Sequence, residues 1–246
     1  MNGGTRVAAL IPARAGSKGI PNKNLAELGG RSLLRWAIDL ATATPEIDRC
    51  IVSTDGEDIA EEGAALGAEI HRRPVELAGD DSLVSDTVVD VLTWHGSRGE
   101  ACEQFVLLQP TSPFRDVGQV RRCLAELSAG ADSAATFSPA ALHPHRAFRL
   151  ADGEPHPFVP GAVPWVPRQS LEPAAFQLSG SVYAFWAERL EPGSPSLLFG
   201  AARAVLTEGP VVDIDEEIDL RMARLLLEAG VFRPQPQRVG GPVDGR

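Results

Sequence analysis

Near the amino terminus the segment Pro12-Ala13-Arg14-Ala15-Gly16-Ser17-Lys18-Gly19-Ile20-Pro21-Asn22-Lys23-Asn24 gathers three cations and two glycines directly after the apolar run Val7 to Ile11. Arg14 offers a planar fork of donors, Lys18 and Lys23 act as point charges, and the glycines let backbone approach a ligand closely. That combination suits the anionic oxygens of a polyphosphate. The glycine and lysine spacing does not match GxxxxGK followed by Ser or Thr, which disfavours a P-loop hydrolase. A solvated, Gly/Lys-rich surface loop is the plain alternative.

Towards the other end, Asp213 and Asp215 stand two apart. In extended backbone their carboxylates project from one face, with Ile214 turned inward. Such a pair suits magnesium, which prefers hard oxygen ligands and completes its shell with waters and phosphate oxygens. Glu216 and Glu217 read as the start of a helix, where an acidic run also simply complements the positive end of the dipole. Gln109-Pro110-Thr111-Ser112-Pro113 follows the apolar run Phe105 to Leu108, the position at which open sheets form ligand crevices, although PTSP is also ordinary turn chemistry. His143 and His145 lack a carboxylate or cysteine at zinc spacing, and His71, His95 and His156 stand alone. Cys50, Cys102 and Cys123 form no CxxC pair and read as buried free thiols.

Elements must bring these distant groups together. Val7 to Ile11, Cys50 to Ser53 and Phe105 to Leu108 read as buried strands of a parallel sheet. Leu33, Trp36, Ala37, Leu40 and Ala41 share a helical face, as do Val84, Val88, Val91 and Leu92, and then Val117, Val120, Leu124 and Leu127. Strands alternating with amphipathic helices predict an α/β fold: a Rossmann-like, open, mostly parallel sheet flanked by helices. From about residue 138 to 178 prolines interrupt every pattern, so the segment is expected to project from the sheet as a flap. The core is expected to resume with strands Ser181 to Phe185 and Val211 to Ile214. A helix then follows with Ile218, Met222, Leu225, Leu226 and Ala229 on its buried face. Residues 1–232 thus read as one domain, and 233–246, rich in proline and glycine, as a disordered tail.

At 246 residues and 43% hydrophobic, the chain has ample material for one core. A formal net charge of -10 offers no general attraction to nucleic acid or anionic lipid, so neither is an expected partner. No stretch has the length of a membrane span or the pattern of a signal peptide, and the expected location is the cytoplasm.

The wording of the loop, IPARAGSKGIPNKN, resembles the opening motif of the CMP-sialic acid synthetases, the acylneuraminate (nonulosonic acid) cytidylyltransferases. Further similar blocks follow in order: Ile51-Val52-Ser53-Thr54-Asp55, Arg73-Pro74, Leu107 to Arg115, Pro167-Arg168-Gln169, Gly180 to Tyr183 and Asp213-Ile214-Asp215. The resemblance implies that Ala13, Arg14, Ser17, Lys18, Lys23, Asn24 and Arg73 bind CTP, with Asp213 and Asp215 holding Mg2+. It assigns Gln109, Thr111, Ser112 and Tyr183 to the acceptor. Arg146 and Arg168, in the flap, would reach a partner's substrate across a homodimer interface. Arg14, Lys23 and Asp215 would carry catalysis. Two departures bear on the acceptor: Ser179 stands where the family typically has Asn before glycine, which would alter the sugar pocket, and Glu172 is inserted before Pro173. An aromatic expected near the pocket corresponds to Phe199 only across a gap.

The reaction so implied is in-line attack of the anomeric hydroxyl of a 2-keto-3-deoxy acidic sugar on the α-phosphorus of CTP, with release of pyrophosphate and no covalent enzyme intermediate. The alternatives are a cytidylyltransferase for a phosphonate or other small acidic acceptor and a catalytically silent CTP-binding protein. A generic sugar-1-phosphate nucleotidyltransferase would show GxGxR, which is absent.

Overall fold

The computed structural model describes residues 5–79, 81–99, 102–191 and 193–233. Apart from Arg233, the expected tail lies outside these residues.

Strand β1 (Val7–Pro12) has an almost continuous buried run, as a strand covered on both faces must. It pairs in parallel with β4 (Arg49–Thr54) on one side and with β6 (Gln104–Leu107) on the other. Outside β4 lies β5 (Glu69–Arg72), also parallel. Beyond β6 comes β10 (Phe176–Trp186), antiparallel to its neighbours, then β7 (Ser133–Pro139) and β11 (Ala202–Leu206). The seven-stranded order is β11-β7-β10-β6-β1-β4-β5. A short ribbon of β2 (Glu27–Leu28) and β3 (Arg31–Ser32) leads into the first helix.

Helices cover both faces. On one side α1 (Leu33–Ala43), α2 (Glu57–Ala65) and α4 (Val117–Ser128) bury Leu34, Ile38, Ile59, Val120 and Leu124 against Ala9, Ile11 and Val52. On the other, α3 (Val84–Ser97) buries Val88 and Val91 against Leu10, Ile51 and Phe105. Ser32 caps α1 by accepting from the Arg35 N–H, and Asp116 with Gln119 forms a capping box on α4. Among the described residues no helix is long and apolar enough to cross a membrane.

A third apolar cluster lies beneath α5 (Glu217–Glu228). It joins Ile20 of the amino-terminal loop to Phe114, Val212, Ile214, Leu220 and Ala223. Burial of these side chains draws the cationic loop and the aspartate segment to one place, although nearly two hundred residues separate them in sequence.

Several expectations are corrected. The mostly parallel sheet and the three amphipathic helices stand as read, but α2, β5, β7 and β11 carried no clear signal. β11 is an edge strand with only Val205 buried, and the first four residues of β7 are small. Residues 211–214 form no strand; Ile214 is buried from a loop outside the sheet. Helix α5 turns its other side inward: Leu220 and Ala223 are buried, with Leu226 and Leu227 packed beside them, while Ile218, Met222 and Leu225 are exposed. Leu227 fits against Gly29, where a Cβ would overlap it, and this close approach selects the face.

Between β7 and β10 the chain leaves the sheet. It carries a separate two-stranded hairpin, β8 (Phe148–Ala151) and β9 (Glu154–Pro157), with Phe148, Leu150 and Phe158 exposed around it.

Candidate active site

The loop after β1 is shaped by backbone anchors. The Ala13 N–H donates to the Ser53 carbonyl at 2.9 Å, extending the β1–β4 ladder by one residue. The Ala15 N–H donates to Asp55 Oδ1 at 2.9 Å, and Asn24, itself buried, donates from Nδ2 to the Arg14 carbonyl at 2.9 Å. Asn22 takes up the left-handed conformation, φ 50° and ψ 40°, one that asparagine tolerates better than most residues. Gly19 lies so close to the Asp215 carbonyl oxygen that any Cβ there would overlap it. Glycine at 19 is thus required by close approach rather than by backbone angle.

Beside this loop opens a cavity of about 230 Å³. Pro12, Arg14, Lys23 and Asn24 form one wall, Gln109, Pro110 and Thr111 a second, and Arg73 a third. The remaining side runs from Leu77 through Gly79 and Ser82 to Val84 and Thr87 at the start of α3. Leu83 and Val84 present apolar surface there, about 47% and 37% exposed. Arg14 Nη1 donates to the Gly79 carbonyl at 3.1 Å, which ties the two sides of the opening together.

Arg73 emerges from the end of β5. Its Nη2 donates to the Ser53 carbonyl at 2.8 Å and its Nε to Ser53 Oγ at 3.3 Å. Burial holds its pKa below the ordinary guanidinium value, with Asp55 pulling the other way. It nevertheless stays cationic at neutral pH.

Asp213 and Asp215 stand on the loop before α5. The Ile214 N–H donates to the Thr111 carbonyl at 2.9 Å, so the segment is fastened to the block after β6. Lys23 Nζ lies 2.8 Å from Asp215 Oδ1, placing loop cation and carboxylate in direct contact. Surrounding protein raises the Asp213 pKa despite its open side; the Thr111 hydroxyl bond opposes this and the Asp215 charge adds to it. Two such carboxylates are a suitable but incomplete cation site. Among the described residues no group of three or more His, Cys, Asp or Glu side chains converges. A hard cation would therefore take its remaining oxygens from water and a bound phosphate chain, which fits Mg2+.

Beyond the cavity, Gly180 sits in a bulge of β10 at φ 74°. A Cβ there would come within 3.0 Å of Ser112 Oγ. Ser112 is buried, and its hydroxyl has no hydrogen-bond partner among the described residues. Tyr183, on the same strand, has its pKa raised by burial and by Asp213. Sequence reasoning gave Arg115 no role. It lies fully inside, its Nη1 donating to the Ser181 carbonyl at 2.9 Å, and burial pushes its pKa down to about 9.

The structure thus brings Arg14, Lys23, Asn24, Arg73, Gln109 and Thr111 to one cavity, with Asp215 joined to it through Lys23 and Asp213 through Thr111. Ala13 supports it as a buried backbone anchor. Ser17 and Lys18 stand further out on the loop and do not line the cavity. Arg146 and Arg168 do not line it either. They bond within the flap, to the Val166 carbonyl at 2.9 Å and the Ala140 carbonyl at 3.4 Å.

Three expectations are corrected. Ser179 does not line the cavity: its hydroxyl is 2.7 Å from Thr136 Oγ1, inside the β7–β10 contact. Phe199 packs against Phe185 in the core at 6.3 Å between ring centroids. His71 does not stand alone; it touches Ser53 and Asp90. Asp55, Ser82 and Thr87 were missed. Only the strand-end position of Asp55 could have indicated it.

The chain is similar to several known proteins. The family model for cytidylyltransferases matches residues 8–141. A CMP-N,N'-diacetyllegionaminic acid synthase from Legionella pneumophila is 31% identical over 232 residues, covering 91% of this chain and 97% of that protein. An N-acylneuraminate cytidylyltransferase A from Danio rerio is 32% identical over 92% of this chain. The match spans only 52% of the Danio rerio protein, so the chain corresponds to about half of that longer relative. Among solved structures, a CMP:2-keto-3-deoxy-manno-octonic acid synthetase complexed with CTP aligns with TM-score 0.66 at 18% identity. That alignment covers 92% of this chain and 99% of the other. A 4-diphosphocytidyl-2C-methyl-D-erythritol synthase aligns with the same score at 16% identity, over 91% and 100%. At these identities the structural matches speak for the fold.

Proposed function

This chain belongs to the cytidylyltransferase family, and from that premise we propose that it transfers CMP from CTP to the anomeric hydroxyl of a nonulosonic, sialic-acid-like sugar with release of pyrophosphate. The observation that carries the reading is the convergence of Arg14, Lys23 and Arg73 on one cavity whose edge holds Asp213 and Asp215. A relative named as a CMP-diacetyllegionaminic acid synthase, matched along almost its whole length, supports the acceptor class.

In this reading the cytosine nucleotide occupies the cavity. Arg14 and Lys23 hold the triphosphate, Arg73 and Asn24 help to orient the nucleotide, and Leu83 and Val84 offer apolar surface. Ser17 and Lys18 lie further along the same loop, where a triphosphate would extend outward. Gln109, Thr111 and Tyr183 face the acceptor, with Ser112 buried behind them against Gly180 rather than in contact with it. The sugar hydroxyl attacks the α-phosphorus in line, and pyrophosphate leaves from the opposite side. Catalysis consists of positioning and charge neutralisation. Asp213 and Asp215 would hold Mg2+, which supplies further neutralisation of phosphate oxygens. Lys23, bonded to Asp215 before substrate arrives, keeps that carboxylate aimed at the triphosphate site.

The flap would complete the enzyme as a homodimer, Arg146 and Arg168 serving a partner's acceptor site. In support, the flap exposes Phe148, Leu150, Phe158 and Trp165, the last about 87% accessible, more apolar surface than a short hairpin leaves to water without cover. A cytoplasmic location is part of this proposal, since the reaction draws on CTP.

A pyrophosphate-release screen with the four nucleoside triphosphates against nonulosonic acids and phosphonates tests the proposal. Release with CTP and a nonulosonic acid is expected. Release with phosphonates alone would move the acceptor, and no release with any pair would reject the enzymatic reading.

A further inference from the structure

We propose that His71 is a positioning residue for nucleotide recognition: it holds the Ser53 hydroxyl so that the Arg73 guanidinium is fixed at the cavity wall, an inference that rests on the cavity being the nucleotide site. Ser53 and His71 are register partners across β4 and β5, 0% and 3% exposed. The hydrogen bonds between them have one consistent direction. Arg73 Nε donates to Ser53 Oγ at 3.3 Å. The hydroxyl meets His71 Nδ1 at 3.1 Å, its one other side-chain partner among the described residues, and we assign its proton to that bond. That assignment leaves Nδ1 bare and puts the ring proton on Nε2. That nitrogen lies 3.2 Å from Asp90 Oδ2 on α3, an off-axis approach that stops short of a full hydrogen bond.

Trp94 closes the side of the ring edge-on at 5.1 Å. Burial lowers the His71 pKa and outweighs the opposing pull of Asp90, while Arg73 adds to the lowering, so the ring stays neutral as the relay requires. The order serine, histidine, aspartate invites comparison with a hydrolytic triad. Ser53 has no exposed surface and its oxygen is already engaged by Arg73, so it cannot reach a substrate carbonyl. What the relay does instead is set the plane of a guanidinium. The Nη2 bond to the Ser53 carbonyl at 2.8 Å holds one edge, and the Nε bond to the hydroxyl stops rotation about it. Without His71 the hydroxyl loses its acceptor and is free to turn away from the geometry that meets Arg73.

Calorimetric titration of CTP into the full chain tests this, with Arg73→Ala, His71→Leu, His71→Asn and Ser53→Ala beside the parent. His71→Leu should raise the CTP Kd about tenfold while kcat at saturating CTP and the acceptor KM stay within about twofold. His71→Asn, whose carboxamide oxygen accepts from the Ser53 hydroxyl, should recover most of the affinity. Added to Arg73→Ala, His71→Leu should cost nothing more. In ¹⁵N spectra His71 should carry its proton on Nε2. Unchanged CTP affinity in folded His71→Leu, an additive loss in the double variant, or a proton on Nδ1 would each overturn the proposal. Where His71→Leu does not fold, Ser53→Ala decides: unchanged affinity there rejects the relay. A parent-like Kd in Arg73→Ala would remove Arg73 from nucleotide recognition and overturn the relay with it, whereas a parent-like Kd in Arg14→Ala and Lys23→Ala as well overturns the premise that the cavity is the nucleotide site.

Discussion

Asp215 is the most informative single residue, because its structural contribution and its proposed catalytic one separate cleanly. Its carboxylate is 71% accessible, although its partner Lys23 is largely covered at 15%, and a pair with one end open to water contributes about 0–1 kcal/mol to stability. Asp215→Ala should therefore melt within a few degrees of the parent, while pyrophosphate release falls by about 10²-fold or more. Near-parental turnover would remove Asp215 from the catalytic set. The thiols give a second measurement. Burial pushes Cys50 and Cys123 up to about 12 and Cys102 up to about 11. The reactive thiolate forms only as pH rises towards those values, so at pH 8 it is about 10⁻³ of the population or less. Iodoacetamide should leave the folded protein largely unmodified at that pH and label all three cysteines after denaturation. At this scale the sequence was most legible where a role depends on local wording, as in the loop from Ala13 to Asn24. It was silent on the packing of Ser179, whose partner Thr136 lies 43 residues away.

At the scale of elements, two contacts set the shape of the site. Gly19 lets the cationic loop press against the Asp215 backbone, and Gly19→Ala must drive those segments apart. A shift of about 1 Å at a reacting centre costs up to roughly 10²-fold in rate. Gly19→Ala should accordingly lower kcat/KM at least about tenfold while circular dichroism stays unchanged. The second contact is the bulge in β10. Thr136 Oγ1 accepts from the Val182 N–H at 2.9 Å and meets the Ser179 hydroxyl at 2.7 Å, both buried. Thr136→Val leaves the Val182 N–H without a partner, while the Ser179 hydroxyl keeps the backbone carbonyl of residue 136 at 3.1 Å, and should cost about 1–3 kcal/mol, read as a lower urea midpoint with an unchanged slope. A midpoint equal to the parent's would mean that the bulge relaxes onto other partners. Element faces were only partly legible. Helix α5 carries two apolar stripes, and periodicity alone does not choose between Ile218, Met222 and Leu225 on one and Leu220, Ala223 and Leu227 on the other.

For the whole molecule, the open question is whether one chain suffices. If Arg168 serves the partner's site, Arg168→Ala and Asp215→Ala protomers are each inactive in their own homodimers, yet a mixed dimer assembles one intact site. Random mixing of equal amounts should then restore about a quarter of parental activity, since half the dimers are mixed and each has one working site of two. No recovery after confirmed subunit exchange would place Arg168 in its own chain's site or outside catalysis. By itself the sequence determined the parallel sheet, the helices with strong stripes and the chemical type of the site, because apolar periodicity and the cationic wording of one loop are local properties. Only the tertiary structure decided which face α5 buries, that the segment before α5 is loop rather than strand, and that His71 sits behind Arg73. Each of these depends on contacts between residues far apart in the chain, where packing and hydrogen-bond satisfaction, not local pattern, select one arrangement.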